Sequence, residues 1–249
     1  MTVLDLFGAD QPEWGTSEVA RAARLPVPTA HRILTALAGR RYLARDERTR
    51  RFRLGPAALD LGERARAVLD LRQIALPVLR RLARETDETA LLTVPNSARD
   101  HSVCLERVES SQPLRLSVEP GRQLPLHAGA SQKALLAFLG PEEIDPIAAG
   151  PLERLCRATV TDGDALRADL AAIRARGWAI SFEETNVGVW GVAVPLLDEG
   201  GTAVAAVGLA GPSARLSQNE VLDHLERLRE AALETSSPFG LEVPELTWP

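Results

Sequence analysis

One short segment near the N-terminus carries side chains that could hydrogen-bond to DNA. Apolar residues recur there at the helical spacing i, i+3, i+4, i+7, namely Ala30, Ile33, Leu34 and Leu37, which predicts a helix with one buried face. The opposite face carries the polar residues His31, Arg32 and Thr35, with Thr29 near its edge at the helix start. Because an α-helix fits the major groove of B-form DNA, these side chains could meet base edges and phosphates. This helix alone leaves open a solvated helix in a three-helix bundle.

A group of arginines follows on a predicted β-ribbon. Two short strands, 42–45 and 51–54, flank a polar loop, and apolar residues alternate with arginines along the second strand. The ribbon is expected to bury one face and to present the arginines of the loop and second strand, Arg48, Arg50, Arg51 and Arg53. Arginines in such a position could contact the phosphate backbone beside the groove, which adds affinity that depends on salt rather than on sequence.

The elements that would position these side chains describe a winged helix-turn-helix. The triplet Thr16-Ser17-Glu18 predicts the start of a helix, with a hydroxyl cap, that runs to about Arg24. A tight turn follows at Leu25-Pro26-Val27, and Pro28 suits the first position of the next helix. Two short helices at a tight turn, with a basic ribbon after them, favour DNA binding over a bundle that binds another protein.

Charge is distributed unevenly along the chain, whose formal net charge is −5. Ten arginines and six acids give residues 1–55 a charge of +4, so the remainder carries −9, which indicates a basic module on an acidic body. The composition is that of a globular protein, and no stretch approaches the ~20 apolar residues of a membrane span. The N-terminus lacks the pattern of a secretory signal. We therefore expect a cytoplasmic protein with no membrane partner.

The acidic body alternates between strand and helix patterns. Residues 57–68 predict a helical connector, and a further helix around 74–84 follows, which Pro77 would start or kink. Beyond it the pattern predicts strands and helices in mixed order, with strands at 89–94, 102–108 and 114–118, helices at 131–139, 142–148 and 164–176, strands at 178–183, 189–196 and 203–209, and a last helix at 218–234. This order favours an α+β sheet with helices packed over it.

Residue types for catalysis or metal binding are sparse in this body. The two cysteines have no CxxC partner and the four histidines show no ligand spacing, so we predict neither a disulfide framework nor a metal site nor a cofactor. Motifs for phosphate loops, serine nucleophiles and zinc proteases are missing. Glu183 and Glu184 are neighbours on a predicted strand and would point to opposite faces, which excludes a facing dyad. Cys104 is expected to be a buried small hydrophobe.

One segment of the body could bind an anionic group. His127 and Lys133 flank the small residues 128–132 at a predicted loop-to-helix entry, where free backbone amides could receive a negative charge. Tight packing at a helix start is the alternative. An enzyme that uses His127 or Cys104 would need a nucleophile and a base within hydrogen-bond reach. The prediction is a protein that is not an enzyme.

The order of these motifs resembles that of the IclR-type (isocitrate lyase regulator) family of transcriptional regulators, over nearly the whole chain. The segments that carry the resemblance read LPVPTAHRIL (25–34), YL (42–43) and LG (54–55) around the ribbon, LPLHA (124–128) to KALLA (133–137), IRARGWA (173–179) with Glu183-Glu184, and AVPL (193–196). Each segment is weakly specific alone, whereas all of them in this order are specific for the family.

The resemblance implies an α+β architecture in three parts. These are a winged helix-turn-helix DNA-binding domain (1–55), a helical linker (56–70) and a GAF-like effector-binding and oligomerisation domain (71–249). It implies a homodimer or homotetramer that binds palindromic double-stranded DNA operators, under the control of a small-molecule effector, as a repressor or an activator. A ligand-binding sensor whose winged helix docks a protein is the alternative, and its binding would not depend on salt between about 50 and 200 mM.

The resemblance also implies candidate effector-binding positions. Relatives that bind small carboxylates use side chains at positions matching Ser181, Gly191, Gly208 and Ala210, and loop amides at positions matching Ala130 and Ser131, to which we add His127. Three of the four side-chain positions are glycine or alanine here, which favours an effector larger or more apolar than a small oxoacid. The family pattern often has glycine where Arg41 stands, and a left-handed arginine there would cost about 1 kcal/mol relative to glycine.

Overall fold

The structure is a computed structural model that describes residues 3–8, 11–216 and 218–247. Within these ranges, residues 63–69, 218 and 219 are described by their backbone alone. The chain divides into two compact units, Met1–Asp70 and Leu71–Pro249, and each is described separately below.

The first unit has the order of elements expected of a winged helix-turn-helix. A 3-10 turn at Val3–Leu6 precedes α1, Thr16–Ala23, and α2, Val27–Gly39. Strands β1, Leu43–Arg45, and β2, Phe52–Leu54, pair antiparallel in the register Leu43 to Leu54. A small apolar core joins these elements, with Val3, Phe7, Val19, Ala20, Ala30, Leu34, Leu43 and Phe52 buried. The alternation expected along the ribbon holds for Phe52, whereas Leu54 is 48% exposed.

The start of α1 differs from the prediction, because Gly15 stands at its N-cap and no side-chain hydroxyl caps it. Glu18 instead accepts a hydrogen bond from the Gly15 N–H at 2.8 Å, which satisfies a donor at the helix start and places a carboxylate at the positive end of the helix. Arg24 ends α1 in the left-handed conformation, with φ of 55°. The turn between the two helices is therefore tight.

Glycine is required at the end of the ribbon. A Cβ on Gly55 would lie 2.3 Å from the carbonyl oxygen of Arg41, far inside van der Waals contact. The Gly55 N–H donates to the Tyr42 carbonyl at 2.8 Å, so the chain leaving β2 packs directly on the chain entering β1. This close approach explains why glycine stands at position 55.

Helix α3 runs from Pro56 to Thr86, where the sequence predicted a connector and a separate helix. Pro77 lies inside it and does not start a new helix. A proline in this position removes one backbone hydrogen bond. The residues that follow it, Val78, Leu79 and Leu82, are buried in the core of the second unit. Their burial compensates for the hydrogen bond that is lost at Pro77. The side chains of residues 63–69, in the predicted connector, lie outside the described residues.

The second unit is built on a six-stranded antiparallel sheet in the order β5-β4-β3-β8-β7-β6. The strands are β3, Thr89–Pro95, β4, His101–Val108, β5, Gln123–Pro125, β6, Ala179–Phe182, β7, Val189–Leu197, and β8, Ala203–Pro212. The predicted strand at 114–118 is absent, since these residues form an irregular loop, and the three-residue β5 was not predicted. A short edge strand offers too few residues for an alternating pattern to show.

Helices cover both faces of this sheet, so each face contributes to an apolar core. One face packs against α7, Gln218–Ser236, and against the part of α3 that begins at Leu71. The other face packs against α4, Ala130–Leu136, α5, Pro141–Ala149, and α6, Gly163–Arg176. Part of this second face is left to the irregular loop 111–122, and the candidate ligand cavity lies there.

Candidate functional site

Helix α2 exposes the predicted polar face. Ala30 and Leu34 are fully buried, and this buried stripe fixes the rotation of the helix about its axis. His31, Arg32 and Thr35 are exposed on the opposite side, and Thr29 is half-buried at the helix start. The helix therefore presents two long polar side chains and a hydroxyl on one surface.

The loop of the ribbon is closed by Asp46. Its Oδ1 accepts the backbone N–H groups of Arg48 at 2.8 Å and Thr49 at 2.7 Å, and these bonds, the one from Thr49 foremost, lower the pKa of the Asp46 carboxyl. Arg50 takes the left-handed conformation, with φ of 58°. The turn leaves Arg48, Arg50 and Arg53 exposed, so three of the four predicted phosphate-binding arginines point to solvent.

Arg51 is placed differently from the other ribbon arginines. Its guanidinium contacts the Glu18 carboxylate at 2.7 Å and donates to the Glu13 carbonyl at 2.9 Å. Both partners belong to the segment that leads into and begins α1. The Gly15 N–H, and then Arg51, lower the pKa of Glu18. Arg51 thus ties β2 to α1, and its guanidinium is engaged within the unit, unlike those of the three exposed arginines.

Two further arginines at the end of α2, Arg40 and Arg41, are exposed and were not among the predicted DNA contacts. Arg40 follows the last helical residue and Arg41 comes next. Arg41 takes the left-handed conformation, with φ of 64°. Both contribute to the positive charge that the sequence assigned to this unit. Their exposure depends on the path of the chain after the helix, and the composition gave no signal of it.

A cavity of about 60 Å³ lies in the second unit, between the sheet, the first turn of α4 and the loop 111–122. Five predicted effector-binding residues line it: Ala130, Ser131, Ser181, Gly191 and Ala210. The sheet register brings three of these together, because Ser181 pairs with Gly191 and Gly191 pairs with Ala210. Directly opposed residues on neighbouring strands share one face of a sheet.

Two predicted residues do not line the cavity. The ring of His127 is buried and its Nε2 lies 2.9 Å from the Glu153 carbonyl oxygen. A Cβ on Gly208 would lie 2.8 Å from Ser131 Oγ, so this glycine admits the serine of α4 and adds no room for a ligand. Gly208 therefore supports the cavity wall through Ser131, whereas His127 is tied to the Glu153 carbonyl.

The lysine at the predicted anion site already has anionic partners. Lys133 is buried, and its Nζ contacts Glu184 at 2.6 Å and Asp169 at 2.7 Å. The other oxygen of Glu184 accepts the Gly129 N–H at 2.9 Å. Strand β6 ends at Phe182 and Glu183 is left-handed, with φ of 55°, which corrects the placement of Glu183 and Glu184 on a strand. The anionic group at this helix start is a side chain of the protein itself.

Cys104 is the predicted buried hydrophobe and also lines the cavity. It packs with Leu91 and Ala210 of the sheet and with Leu116 and Val118 of the loop. Burial raises the pKa of its thiol to about 11. The thiol is therefore protonated near neutral pH and contributes an apolar contact surface.

The described residues contain no cluster of three or more histidine, cysteine or acidic side chains that could hold a metal ion. Among the same residues, no helix combines the length and apolar character needed to cross a membrane.

The chain matches two models of one protein family. Residues 1–47 match the IclR helix-turn-helix domain, and residues 64–237 match the model described as the bacterial transcriptional regulator IclR C-terminal domain. The chain is 35% identical to the HTH-type transcriptional regulator BhcR of Paracoccus denitrificans, over 97% of this chain and 85% of that protein. It is 30% identical to the regulator KipR of Bacillus subtilis, over 96% and 95% of the two chains.

Solved structures agree with these matches. An IclR transcriptional regulator from Silicibacter superposes with a TM-score of 0.69 at 28% identity, over 97% of this chain and 95% of that one. An IclR homologue from Microbacterium hydrocarbonoxydans, solved with 4-hydroxybenzoate, superposes with a TM-score of 0.62 at 31% identity, over 94% and 95%. The chain therefore belongs to the IclR family of effector-responsive, DNA-binding transcriptional regulators.

Proposed function

We propose that this regulator contacts base edges of double-stranded DNA with the exposed face of α2, and contacts the phosphate backbone with the arginines of the β1–β2 ribbon. The observation that carries the proposal is the orientation of α2, whose buried stripe turns His31, Arg32 and Thr35 outward together. Arg48, Arg50 and Arg53 are exposed on the ribbon of the same unit. Donors on a helix read base edges in the major groove, and arginines beside it position the protein on the duplex.

Salt dependence separates the ribbon arginines from one another. The operator DNA is taken from the region that flanks the protein's own gene, and random DNA serves as the comparison. We expect Arg53→Ala to weaken binding to both. It should also make the negative slope of log Kobs against log salt concentration shallower by about 0.9, which is the contribution of one phosphate contact. Arg51→Ala is the matched control, since its guanidinium is committed to Glu18, and it should leave the slope unchanged. Fluorescence anisotropy between about 50 and 200 mM salt measures both.

Sequence discrimination should depend on α2. Thr35→Ala is expected to reduce the ratio of operator to random-DNA affinity by about tenfold, because a lost base contact costs roughly 1–3 kcal/mol. Binding that is insensitive to salt, and unchanged in both Arg53→Ala and Thr35→Ala, would instead support a winged helix that docks a protein.

We also propose that the cavity holds the effector, with Ala130, Ser131, Ser181, Gly191 and Ala210 in contact with it. Apolar contacts dominate the wall made by Leu91, Cys104, Leu116 and Val118, which supports a ligand more apolar than a small oxoacid. The relative solved with 4-hydroxybenzoate supports the same class. The cavity measures about 60 Å³ and is bounded on one side by Leu116 and Val118 of the loop 111–122.

Titration of the purified protein distinguishes the two ligand classes. Aromatic acids such as 4-hydroxybenzoate should bind more tightly than glyoxylate or pyruvate, as measured by calorimetry. Tight binding of the small oxoacids alone would overturn the larger, more apolar effector.

We further propose that the protein acts without catalysis of its own, in the cytoplasm, as a homodimer or homotetramer on palindromic operators. The pKa of Cys104, at about 11, supports the first point, since the thiolate is the nucleophilic form. Helix-turn-helix proteins that bind as dimers read two half-sites about one helical turn apart. Footprinting should therefore show paired protected segments at about that spacing, and a single protected half-site would contradict the oligomer.

A further inference from the structure

Arg122 lies on the cavity face of the sheet because of its strand register. In the β4–β5 pairing, Ser102 lies opposite Leu124 and Val103 lies opposite Gln123. The next opposed pair is Cys104 and Arg122, joined by the Cys104 N–H and the Arg122 carbonyl at 3.0 Å. Opposed residues share a face and successive residues alternate, so Arg122 joins Ser102, Cys104 and Leu124 on the face that lines the cavity.

A turn and a bulge fix this position. The Arg122 N–H donates to the Glu119 carbonyl at 3.0 Å, across Pro120 and Gly121, and Gly121 has φ of 85°. Proline followed by a left-handed glycine is the type II turn pattern. The Gly121 N–H also donates to the Cys104 carbonyl at 2.8 Å, so two residues stand opposite one, which is a β-bulge. The backbone of Arg122 is therefore anchored although its side chain is exposed.

Arg122 is the one charged residue among the twenty described residues that line the cavity. The nearby cations have partners: Lys133 contacts Glu184 and Asp169, and Arg115 contacts Glu109. Within the described part of the chain, the Arg122 guanidinium has no hydrogen-bond or ion-pair partner of its own. Its five donors are available to a ligand, and guanidinium matches the geometry of a carboxylate.

The end of the cavity that is formed by the start of α4 disfavours an anion. Glu184 places its carboxylate 2.9 Å from the Gly129 nitrogen at the start of α4, and Lys133 is shared between this carboxylate and Asp169. Two acids against one lysine leave this end with a net negative charge. Ser131 and Ser181, which line the cavity there, can donate only uncharged hydrogen bonds.

We infer that Arg122 recognises the charged group of the effector, and that the cavity therefore selects an organic monoanion with an apolar body. The anionic group lies against Arg122, and the body lies against Leu91, Cys104 and Ala210 of the sheet. This inference rests on the proposed function to the extent that the effector occupies this cavity. It goes beyond that function by naming the residue that sets the charge preference.

The test compares acids with their uncharged amides of the same shape. Calorimetry on the full-length protein uses 4-hydroxybenzoate with 4-hydroxybenzamide, and pyruvate with pyruvamide, so the result does not depend on ligand size. Wild-type protein should bind the acid of at least one pair about tenfold more tightly than its amide. Arg122→Gln should weaken the acid by about tenfold and leave the amide unchanged, and Arg122→Lys should restore part of the preference.

Arg115→Gln is the matched control, since Arg115 lies on the same loop and does not line the cavity; it should keep the wild-type preference. Equal weakening of acid and amide by Arg122→Gln would assign Arg122 a structural role and overturn the inference. So would a wild-type protein that shows no preference or binds neither pair. Operator binding, measured on the same samples, separates this failure from failure of the proposed function, because DNA recognition does not require Arg122.

Discussion

Arg41 adopts an unfavourable left-handed backbone conformation that the fold requires. It stands between α2 and β1 with φ of 64°, a conformation in which its Cβ crowds the backbone. Its N–H donates to the Ala38 carbonyl at 2.9 Å and its carbonyl accepts the Ala57 N–H at 3.1 Å. These bonds, and the contact with Gly55, hold the left-handed conformation against the preference of an arginine.

Arg41→Gly should stabilise the protein by about 1 kcal/mol, since glycine adopts this conformation without the Cβ penalty. Urea denaturation of the full-length protein measures the change. Arg40→Gly is the control, because Arg40 has φ of −95° and gains no relief from glycine; it should be neutral or destabilising. A destabilised Arg41→Gly protein would mean that the arginine side chain contributes more than its backbone costs.

Lys133 forms a buried ion pair in the second unit. Its buried ammonium compensates Glu184, whose side chain is also buried. Lys133→Met should lower the free energy of unfolding by about 3–5 kcal/mol, because it leaves a buried carboxylate without its partner. Adding Glu184→Gln should recover part of this loss, since a glutamine oxygen can still accept the Gly129 N–H. Chemical denaturation of both variants measures the difference, and a double variant no more stable than Lys133→Met would contradict it.

At the scale of elements, helical periodicity could be predicted from the sequence, whereas contacts between residues far apart in the chain could not. The stripe of Ala30 and Leu34 predicted α2 because burial repeats with the helix period. The pairing of Arg51 with Glu18 joins residues 33 positions apart, and no local pattern encodes such a contact. The same holds for Glu184, which meets Lys133 across 51 positions. The resemblance to the family predicted the positions that line the cavity. It did not predict that Ser131 fills the space beside Gly208.

Helix α7 packs on β7 through a stacked pair of rings. His224 lies parallel to Trp190, with ring centroids 5.4 Å apart. Burial lowers the pKa of His224, and Arg227 adds to this, against Glu220 and Asp223 on the same helix. Because the pKa is lower in the folded state, the neutral ring contributes stability that is full above the unfolded value near 6.5 and is lost as pH falls through the folded value.

His224→Phe should therefore remove part of the acid sensitivity of the protein. Phenylalanine keeps a flat ring against Trp190 and cannot be protonated. We expect the difference in melting temperature between wild type and His224→Phe to shift in favour of the variant as pH falls from 7.5 to about 5. Thermal unfolding monitored by tryptophan fluorescence measures it. Parallel pH profiles for the two proteins would show that His224 does not titrate on unfolding.

At the scale of the whole molecule, a basic unit and an acidic unit divide two binding tasks. Residues 1–55, which lie within the first unit, carry a charge of +4, and the rest of the chain carries −9, so the net positive charge that favours DNA lies in the first unit. The cavity that we propose for the effector lies in the second unit. A regulator built in this way works only if occupancy of the cavity changes the free energy of DNA binding, which is a coupling between two sites.

Coupling of this kind is reciprocal, so the effector and the operator must each change the affinity for the other. If saturating 4-hydroxybenzoate changes the operator Kd by a factor, the operator must change the Kd of the acid by the same factor, typically about 5- to 150-fold. Operator affinity is measured by anisotropy with and without the acid, and acid affinity by calorimetry with and without operator. The equality holds for repression and activation alike. Unequal factors would show that the acid acts through a further equilibrium, such as subunit association, because a thermodynamic cycle between two sites on one species must close.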